Sequence, residues 1–175
     1  MLPVIGELRP WAEPTLLELH RLPMRVPLPV TGDARIALDG EWHFRLFNNP
    51  ESVPPSAVRG ATPTNGRTVA VPGNWTMQDT GDLPRYTNVQ MPFPGPPPVP
   101  PADNPTGCYR PLFTLREGLG GRRTILSVGA AGGVLAVPVE RALGGSHMGS
   151  QLAEAFDIQR FATPVRRTSA RAPGV

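Results

Sequence analysis

The sequence predicts an all-β protein, an antiparallel β-sandwich or jelly roll, on three observations. Pro (24) and Gly (19) make up about a quarter of the 175 residues, which disfavours long helices because proline breaks the helical hydrogen-bond ladder. Apolar residues recur at every second position in several short segments, which is the period of a strand with one buried face. Turn-forming residues separate these segments at roughly regular intervals, as in sandwiches and not as in parallel α/β sheets.

The first part of the chain is predicted to form an arm followed by a hairpin. Prolines interrupt the opening segment and leave room for one helical turn, at residues 16–19. Ile36 and Leu38 alternate with small or polar residues, and the pair Asp39-Gly40 predicts a tight turn after them. The strand that follows carries apolar residues in strict alternation, namely Trp42, Phe44 and Leu46.

Further strands are predicted downstream, separated by loops. A loop rich in Pro, Ser, Thr and Gly occupies residues 48–66, and a short strand with Val69 and Val71 follows it. Eight of the fourteen residues from 92 to 105 are proline, which requires an extended path and excludes a regular helix there. The remaining strands are predicted at residues 109–115, 124–128 and 134–139.

Charge and hydropathy exclude several classes of function. The net charge of +3 arises from the C-terminal part, since residues 1–109 carry 8 Arg against 10 acids and residues 110–175 carry 9 Arg against 4 acids. The basic end, residues 160–175, holds one aromatic residue and no recognition helix, so we expect no nucleic-acid partner. No apolar run reaches about 18 residues and the start does not resemble a signal peptide, so we expect a cytoplasmic protein without a membrane partner.

Common catalytic and metal-binding patterns do not occur in the sequence. The single cysteine, Cys108, excludes an intrachain disulfide and a multi-cysteine zinc site, and is predicted to be a small buried apolar residue. The glycine-rich segment 129–133 departs from the G-x-G-x-x-G spacing and predicts a β-turn. The three histidines lack paired spacing and are predicted at the surface or in loops, with the second on the outward face of its strand; they are His20, His43 and His147.

Three motifs stand close together in the middle of the chain, and they carry a resemblance to a known family. They are Val71–Gln78, Tyr86–Phe93 and Val99–Arg110, the last containing Asn-Pro-Thr-Gly. Together with the opening segment 20–23 and the strand at 38–44, they resemble the N-terminal sugar-binding domain of glycoside hydrolase family 2, in its β-galactosidase branch. The resemblance is strong from about Trp11 to Phe113 and weaker as far as Asp157.

The resemblance implies a jelly-roll fold, a galactoside ligand and one substrate contact. In the family, the asparagine of Asn-Pro-Thr-Gly reaches the active site and contacts the galactosyl group, so Asn104 is the predicted substrate-binding residue. A residue before proline is held extended, and an amide both donates and accepts hydrogen bonds, as a sugar hydroxyl requires. The alternative is that Asn104 only shapes a turn. Trp75 and Tyr86 are predicted to pack in the interior or against another domain and not to stack on sugar.

The family's hydrolytic machinery is not expected in this chain. Hydrolysis of terminal β-galactosides in this family uses two glutamates on a separate TIM barrel, and its magnesium and sodium sites lie largely outside the segment covered here. We therefore assign no catalytic, cofactor-binding or metal-binding residue. Glu117, Glu140 and Glu154 have no family motif around them. The chain is predicted to be inactive alone and to need a catalytic barrel, in the same polypeptide or in trans.

The C-terminal part departs from the family pattern. Residues 137–145 lack the expected Asn-Gly turn and add a proline, and the resemblance ends after Ile158. These departures predict a domain incomplete at its C-terminal end, the product of a truncation or frameshift, with an arm (1–34), a sugar-binding sandwich (35–158) and a basic disordered tail (159–175). Two alternatives stay open, a proline-rich interaction module and a decayed gene product.

Overall fold

Short strands dominate the structure, a computed structural model that describes residues 9–23, 35–58, 65–85, 95–96, 99–111, 123–139, 142–149 and 152–160. These residues contain one short helix, α1 (Pro55–Val58), and three 3₁₀ turns. The predicted all-β class is confirmed. None of the helices in the described ranges has the length and apolar character needed to cross a bilayer. The strands are β1 (Glu18–Leu19), β2 (Gly40–Phe47), β3 (Arg67–Val71), β4 (Thr106–Arg110), β5 (Ile125–Val128), β6 (Val134–Val139), β7 (Ala142–Met148) and β8 (Glu154–Asp157).

The described strands form three antiparallel sheets. One sheet has the order β3-β2-β4, the second β1-β7-β6, and the third pairs β5 with β8. Sequence neighbours are not always sheet neighbours, because β1 lies beside β7 and β4 beside β2. Such long connections are typical of sandwiches and jelly rolls, in which a strand often pairs with one far along the chain.

The alternating pattern predicted for β2 is present and divides its side chains between two faces. Phe44 is buried and lies opposite Tyr109 of β4, while Trp42 lies opposite the buried Val69 of β3. Side chains directly opposite each other in an antiparallel pair share a face, so these four residues form one apolar surface. Phe47, on the other face, is also buried.

The two predictions at the N-terminal end are wrong in detail. Residues 16–19 do not form a helical turn, because Glu18 and Leu19 pair with His147 and Ser146 of β7. The backbone N–H of Met148 also donates to the Leu17 carbonyl at 2.8 Å, so hydrogen bonds to a distant strand replace the local ones. The structure places no strand at residues 35–39, and Gly40, with φ of +138°, begins β2 instead of closing a hairpin turn.

The remaining strand predictions are largely confirmed. The strand with Val69 and Val71 is β3, and the predicted strands at 124–128 and 134–139 are β5 and β6. The strand predicted at 109–115 is β4 as far as Arg110, and its remainder from residue 112 lies outside the described residues. The loop at 48–66 contains a 3₁₀ turn at Pro50–Ser52 and the helix α1.

The segment expected to lose its hairpin forms one. Strands β6 and β7 pair antiparallel, with a register shift between Val137 and Pro138. A bulge is a position where a strand tolerates proline, because the missing N–H falls where the ladder is already interrupted. Gly144 allows the strands to approach, since a Cβ there would lie 2.7 Å from Cγ2 of Val139. Pro138 therefore displaces the register of the hairpin without abolishing it.

Candidate functional site

The loop that enters β4 holds Asn104 by its backbone on both sides. The Asn104 N–H donates to the carbonyl of Asn48 with an N–O distance of 2.9 Å, and the Asn104 carbonyl accepts from the Thr106 hydroxyl at 3.0 Å. Pro105 follows directly and restricts Asn104 to extended conformations. The position of Asn104 is therefore set by the end of β2 and the start of β4.

The side chain of Asn104 differs from its backbone in its hydrogen bonding. It is half-buried, and among the residues that the structure describes none forms a hydrogen bond with its amide group. An amide group can donate two hydrogen bonds and accept two. A fixed backbone and a side chain with this unused capacity suit a contact with a polar ligand.

An aromatic cluster lies next to this loop. The ring centroids of Phe44 and Tyr109 are 4.9 Å apart, and the Trp75 centroid lies 6.0 Å from Phe44 and 6.2 Å from Tyr109. These are the separations of packed, interlocking rings. Gly107, three residues after Asn104, lies against the cluster, since a Cβ there would be 2.7 Å from Cε2 of Phe44 and 2.8 Å from Cε3 of Trp75.

Trp75 packs within this cluster, as predicted. Its indole N–H donates to a carboxylate oxygen of Asp82 at 2.8 Å, so the polar edge of the ring is satisfied by the protein. The side chain of Arg85 then links Asp82, at 3.7 Å, to Asp103, at 3.4 Å. The segment after β3 is thereby connected to the residue that precedes Asn104. Tyr86 lies outside the described residues.

Burial changes the acid–base chemistry of β4. Desolvation raises the pKa of the Cys108 thiol above its ordinary value of 9.0, an effect that the charge of Arg110 partly offsets. Desolvation also raises the pKa of Tyr109. Both side chains are therefore neutral near pH 7. Cys108 is half-buried, less enclosed than the buried apolar residue that was predicted.

The histidine predictions have mixed outcomes. His43 is exposed on β2, and His20 lies half-buried in the bend after β1. The prediction for His147 is wrong, because this residue is buried in β7 and its Nδ1 lies 2.5 Å from Oε1 of Glu154. The pair joins strands of two different sheets, β7 and β8, and has no local motif, so only the approach of these two strands reveals it.

No cluster of metal-binding side chains is found in the described part of the chain. In those ranges no three His, Cys, Asp or Glu side chains come together as a cation site. The glycine-rich segment 129–133 links β5 to β6, which lie in different sheets, through bends and not through the predicted β-turn, with Gly133 at φ of +78°. Glu154 is engaged with His147.

Two residues beside the Asn104 loop were missed by the sequence analysis. Asn49 contacts the loop with its side chain and Arg85 pairs with Asp103. The order Asn49-Pro50 with Ser52 behind it is a helix-cap signal that the sequence does show. Nothing in the sequence indicates the contacts of Asn49 and Arg85 with the loop, because these depend on the approach of segments 18 to 53 residues apart.

The chain is similar to a known protein family and to several known proteins. The family model for the sugar-binding domain of glycosyl hydrolases family 2 matches residues 36–168. A β-galactosidase of Erwinia tasmaniensis is 43% identical over 116 residues, covering 60% of this chain and 11% of that protein. Those of Vibrio cholerae and Pectobacterium atrosepticum are 39% and 38% identical over 118 and 120 residues, covering 61% and 62% of this chain. The chain thus spans about a tenth of the length of these relatives, 11% in each of the three. This chain belongs to the family of glycosyl hydrolase family 2 sugar-binding domains.

Proposed function

We propose that this chain supplies the sugar-binding part of a β-galactosidase and that Asn104 contacts the galactosyl group of the substrate. The observation that carries the proposal is the contrast within one residue. The backbone N–H of Asn104 donates to the Asn48 carbonyl at 2.9 Å, and its carbonyl accepts from the Thr106 hydroxyl at 3.0 Å. Its side-chain amide group, in contrast, has no hydrogen-bond partner in the described ranges.

The chemistry of a sugar hydroxyl fits this residue. A hydroxyl donates one hydrogen bond and accepts others. The amide group of asparagine has both an acceptor and donors, so it can pair with a hydroxyl in either direction. Because the backbone is already fixed, little conformational freedom remains to be lost when sugar binds, which favours affinity. The names of the matched relatives support a β-galactoside as the ligand.

Hydrolysis is proposed to require a second component. Retaining glycosidases cleave with two carboxyl groups about 5 Å apart, and we assign no such pair to this chain. The partner would be a catalytic barrel, in the same polypeptide or in trans. Within this chain, we propose that residues 35–158 form the sugar-binding sandwich, residues 1–34 an arm and residues 159–175 a tail. We also propose a cytoplasmic location. The single cysteine cannot form an intrachain disulfide, which is compatible with a reducing compartment.

The proposal is tested by fusing this chain to the Erwinia tasmaniensis β-galactosidase in place of its matching segment. We expect the fusion to hydrolyse 2-nitrophenyl β-galactoside. We expect Asn104→Ala to lower kcat/KM about ten- to a hundred-fold, the loss of one or two polar contacts with substrate in a desolvated site. Asn104→Asp keeps a hydrogen-bond acceptor but loses the donor, so its kcat/KM should lie between those of the parent fusion and of Asn104→Ala.

The control variant is His43→Gln, which changes an exposed polar residue on β2 and should leave kcat/KM unchanged. A folded fusion without activity contradicts the proposal that this chain can supply the sugar-binding part. An active fusion that Asn104→Ala does not impair contradicts the role of Asn104.

A further inference from the structure

We infer that Asn49 is a positioning residue for Asn104, an inference that rests on the proposed function. The side chain of Asn49 acts in two directions. Its Oδ1 accepts from the backbone N–H and the hydroxyl of Ser52, at 2.9 Å and 2.6 Å, and so caps the 3₁₀ turn after β2. Its Nδ2 donates to the carbonyl of Ala102 at 3.4 Å.

The backbone of the preceding residue completes the contact. The carbonyl of Asn48 accepts from the Asn104 N–H at 2.9 Å. Two consecutive residues at the end of β2 thus hold the loop at Ala102 and at Asn104, on either side of Asp103. Anchoring a chain at two points two residues apart restricts the peptide planes between them, and these planes set the direction in which the Asn104 side chain leaves the backbone.

The Ser52 cap restrains the donor of Asn49. A side-chain amide has two polar ends on one planar group, so fixing Oδ1 against Ser52 also directs Nδ2. The bonds to Ser52 therefore fix the rotamer of Asn49 independently of its contact with Ala102. The 3₁₀ turn at Pro50–Ser52 serves as the support that aims Asn49 at Ala102.

A second side chain, that of Arg85, also contacts the loop. Arg85 reaches Asp103 at 3.4 Å, but the side chain of Asp103 is 77% exposed and that of Arg85 is 33% exposed. Ion pairs so open to solvent contribute little, because water and salt screen them. Asn49 and the Thr106 hydroxyl, which donates to the Asn104 carbonyl, are therefore the side chains that hydrogen-bond to the backbone of the loop among the described residues.

The substitution Asn49→Asp separates the two roles of the residue. Aspartate keeps the shape and the acceptor that caps Ser52, but it replaces the Nδ2 donor with an oxygen facing the Ala102 carbonyl. Asn49→Ser keeps a capping oxygen on a side chain too short to reach Ala102. The matched control is Ser52→Ala, which removes the hydroxyl bond to Asn49 but keeps the backbone N–H bond that directs Asn49 at Ala102.

The first measurement is the rate of hydrogen exchange at the backbone N–H of Asn104, recorded by NMR on the full chain. We expect Asn49→Asp and Asn49→Ser to accelerate this exchange about two- to ten-fold, the effect of losing one net hydrogen bond, while Ser52→Ala changes it less than two-fold. The N–H of Leu22, bonded to the Ala155 carbonyl at 2.8 Å, reports whether the protein as a whole has loosened. Unchanged exchange at Asn104 in a folded Asn49→Ser variant overturns the inference.

The second measurement is a double-mutant cycle in the fusion enzyme. If Asn49 acts through Asn104, Asn49→Asp lowers kcat/KM in the parent about two- to ten-fold but has no further effect once Asn104→Ala is present. A merely structural role would lower both backgrounds equally, and that result overturns the inference. If Asn104→Ala alone is without effect, the proposed function fails, whereas the exchange measurement still decides whether Asn49 orders the loop.

Discussion

His147 and Glu154 face each other in the interior, with Nδ1 of the histidine 2.5 Å from Oε1 of the carboxylate. The side chain of Glu154 is fully buried and that of His147 is 9% exposed. The other carboxylate oxygen of Glu154 has no hydrogen-bond partner in the described part of the chain. The pair therefore links β7 to β8, and each residue depends on the other for its buried polar contact.

Removing one member of this pair should destabilise the protein. We expect Glu154→Ala to lower the free energy of unfolding by about 1–3 kcal/mol, because it leaves a buried polar ring without its hydrogen-bond partner. Urea denaturation followed by circular dichroism measures the change. The double variant Glu154→Leu with His147→Leu should lose less than the sum of the single changes. A change below about 0.5 kcal/mol for Glu154→Ala, the range of ordinary surface substitutions, would contradict the prediction.

Gly107 is predicted to be irreplaceable for reasons of space. A Cβ would meet Phe44 at 2.7 Å and Trp75 at 2.8 Å, so Gly107→Ala must displace rings of the aromatic cluster. We expect a loss of about 1–3 kcal/mol and an altered tryptophan fluorescence spectrum. The control is Gly129→Ala, where a Cβ meets no atom within 4 Å. Equal stability of the two variants would show that the cluster yields without strain.

Asp157 should make stability depend on acid pH. The hydrogen bond from Arg123, at 2.8 Å, and that from the Gln159 N–H lower the pKa of Asp157 below its ordinary value of 3.8. A group with a depressed folded-state pKa stabilises the protein above its unfolded-state pKa and loses this contribution as the pH falls through the folded-state value. We expect Asp157→Asn to remove this part of the acid-induced loss, as seen in urea denaturation between pH 5 and pH 2, roughly the carboxyl range. A pH profile parallel to that of the parent protein would refute it.

Cys108 should react slowly with alkylating reagents. Burial raises the pKa of its thiol, which lowers the thiolate fraction at pH 8, and only the thiolate is nucleophilic. Because the charge of Arg110 offsets part of this rise, Arg110→Gln should slow the reaction with iodoacetamide further. The rate is measured by mass spectrometry against a free cysteine peptide. Faster alkylation in Arg110→Gln would mean that access, and not thiolate fraction, limits the reaction.

The contrast between Asn104 and Asn49 shows how far sequence reasoning reaches at the site. Asn104 became a candidate because the local motif Asn-Pro-Thr-Gly resembles that of the family, and the following proline and nearby glycine, which restrict the backbone, are compatible with that role. Asn49 contacts Ala102 across 53 residues, and no local pattern records that approach. The same holds for His147, whose burial depends on strands from both ends of the chain.

The sequence by itself determined the all-β class, the position of β2, β3, β5 and β6, and the candidacy of Asn104. Proline, glycine and two-residue alternation act through neighbouring residues, so their consequences are local and legible. Only the tertiary structure decided that Glu18 and Leu19 pair with β7 instead of forming a helical turn, and that Pro138 lies at a bulge in a hairpin. The physical reason is that backbone hydrogen bonds are satisfied by whichever strand comes within reach, and that partner is set by the packing of the whole chain.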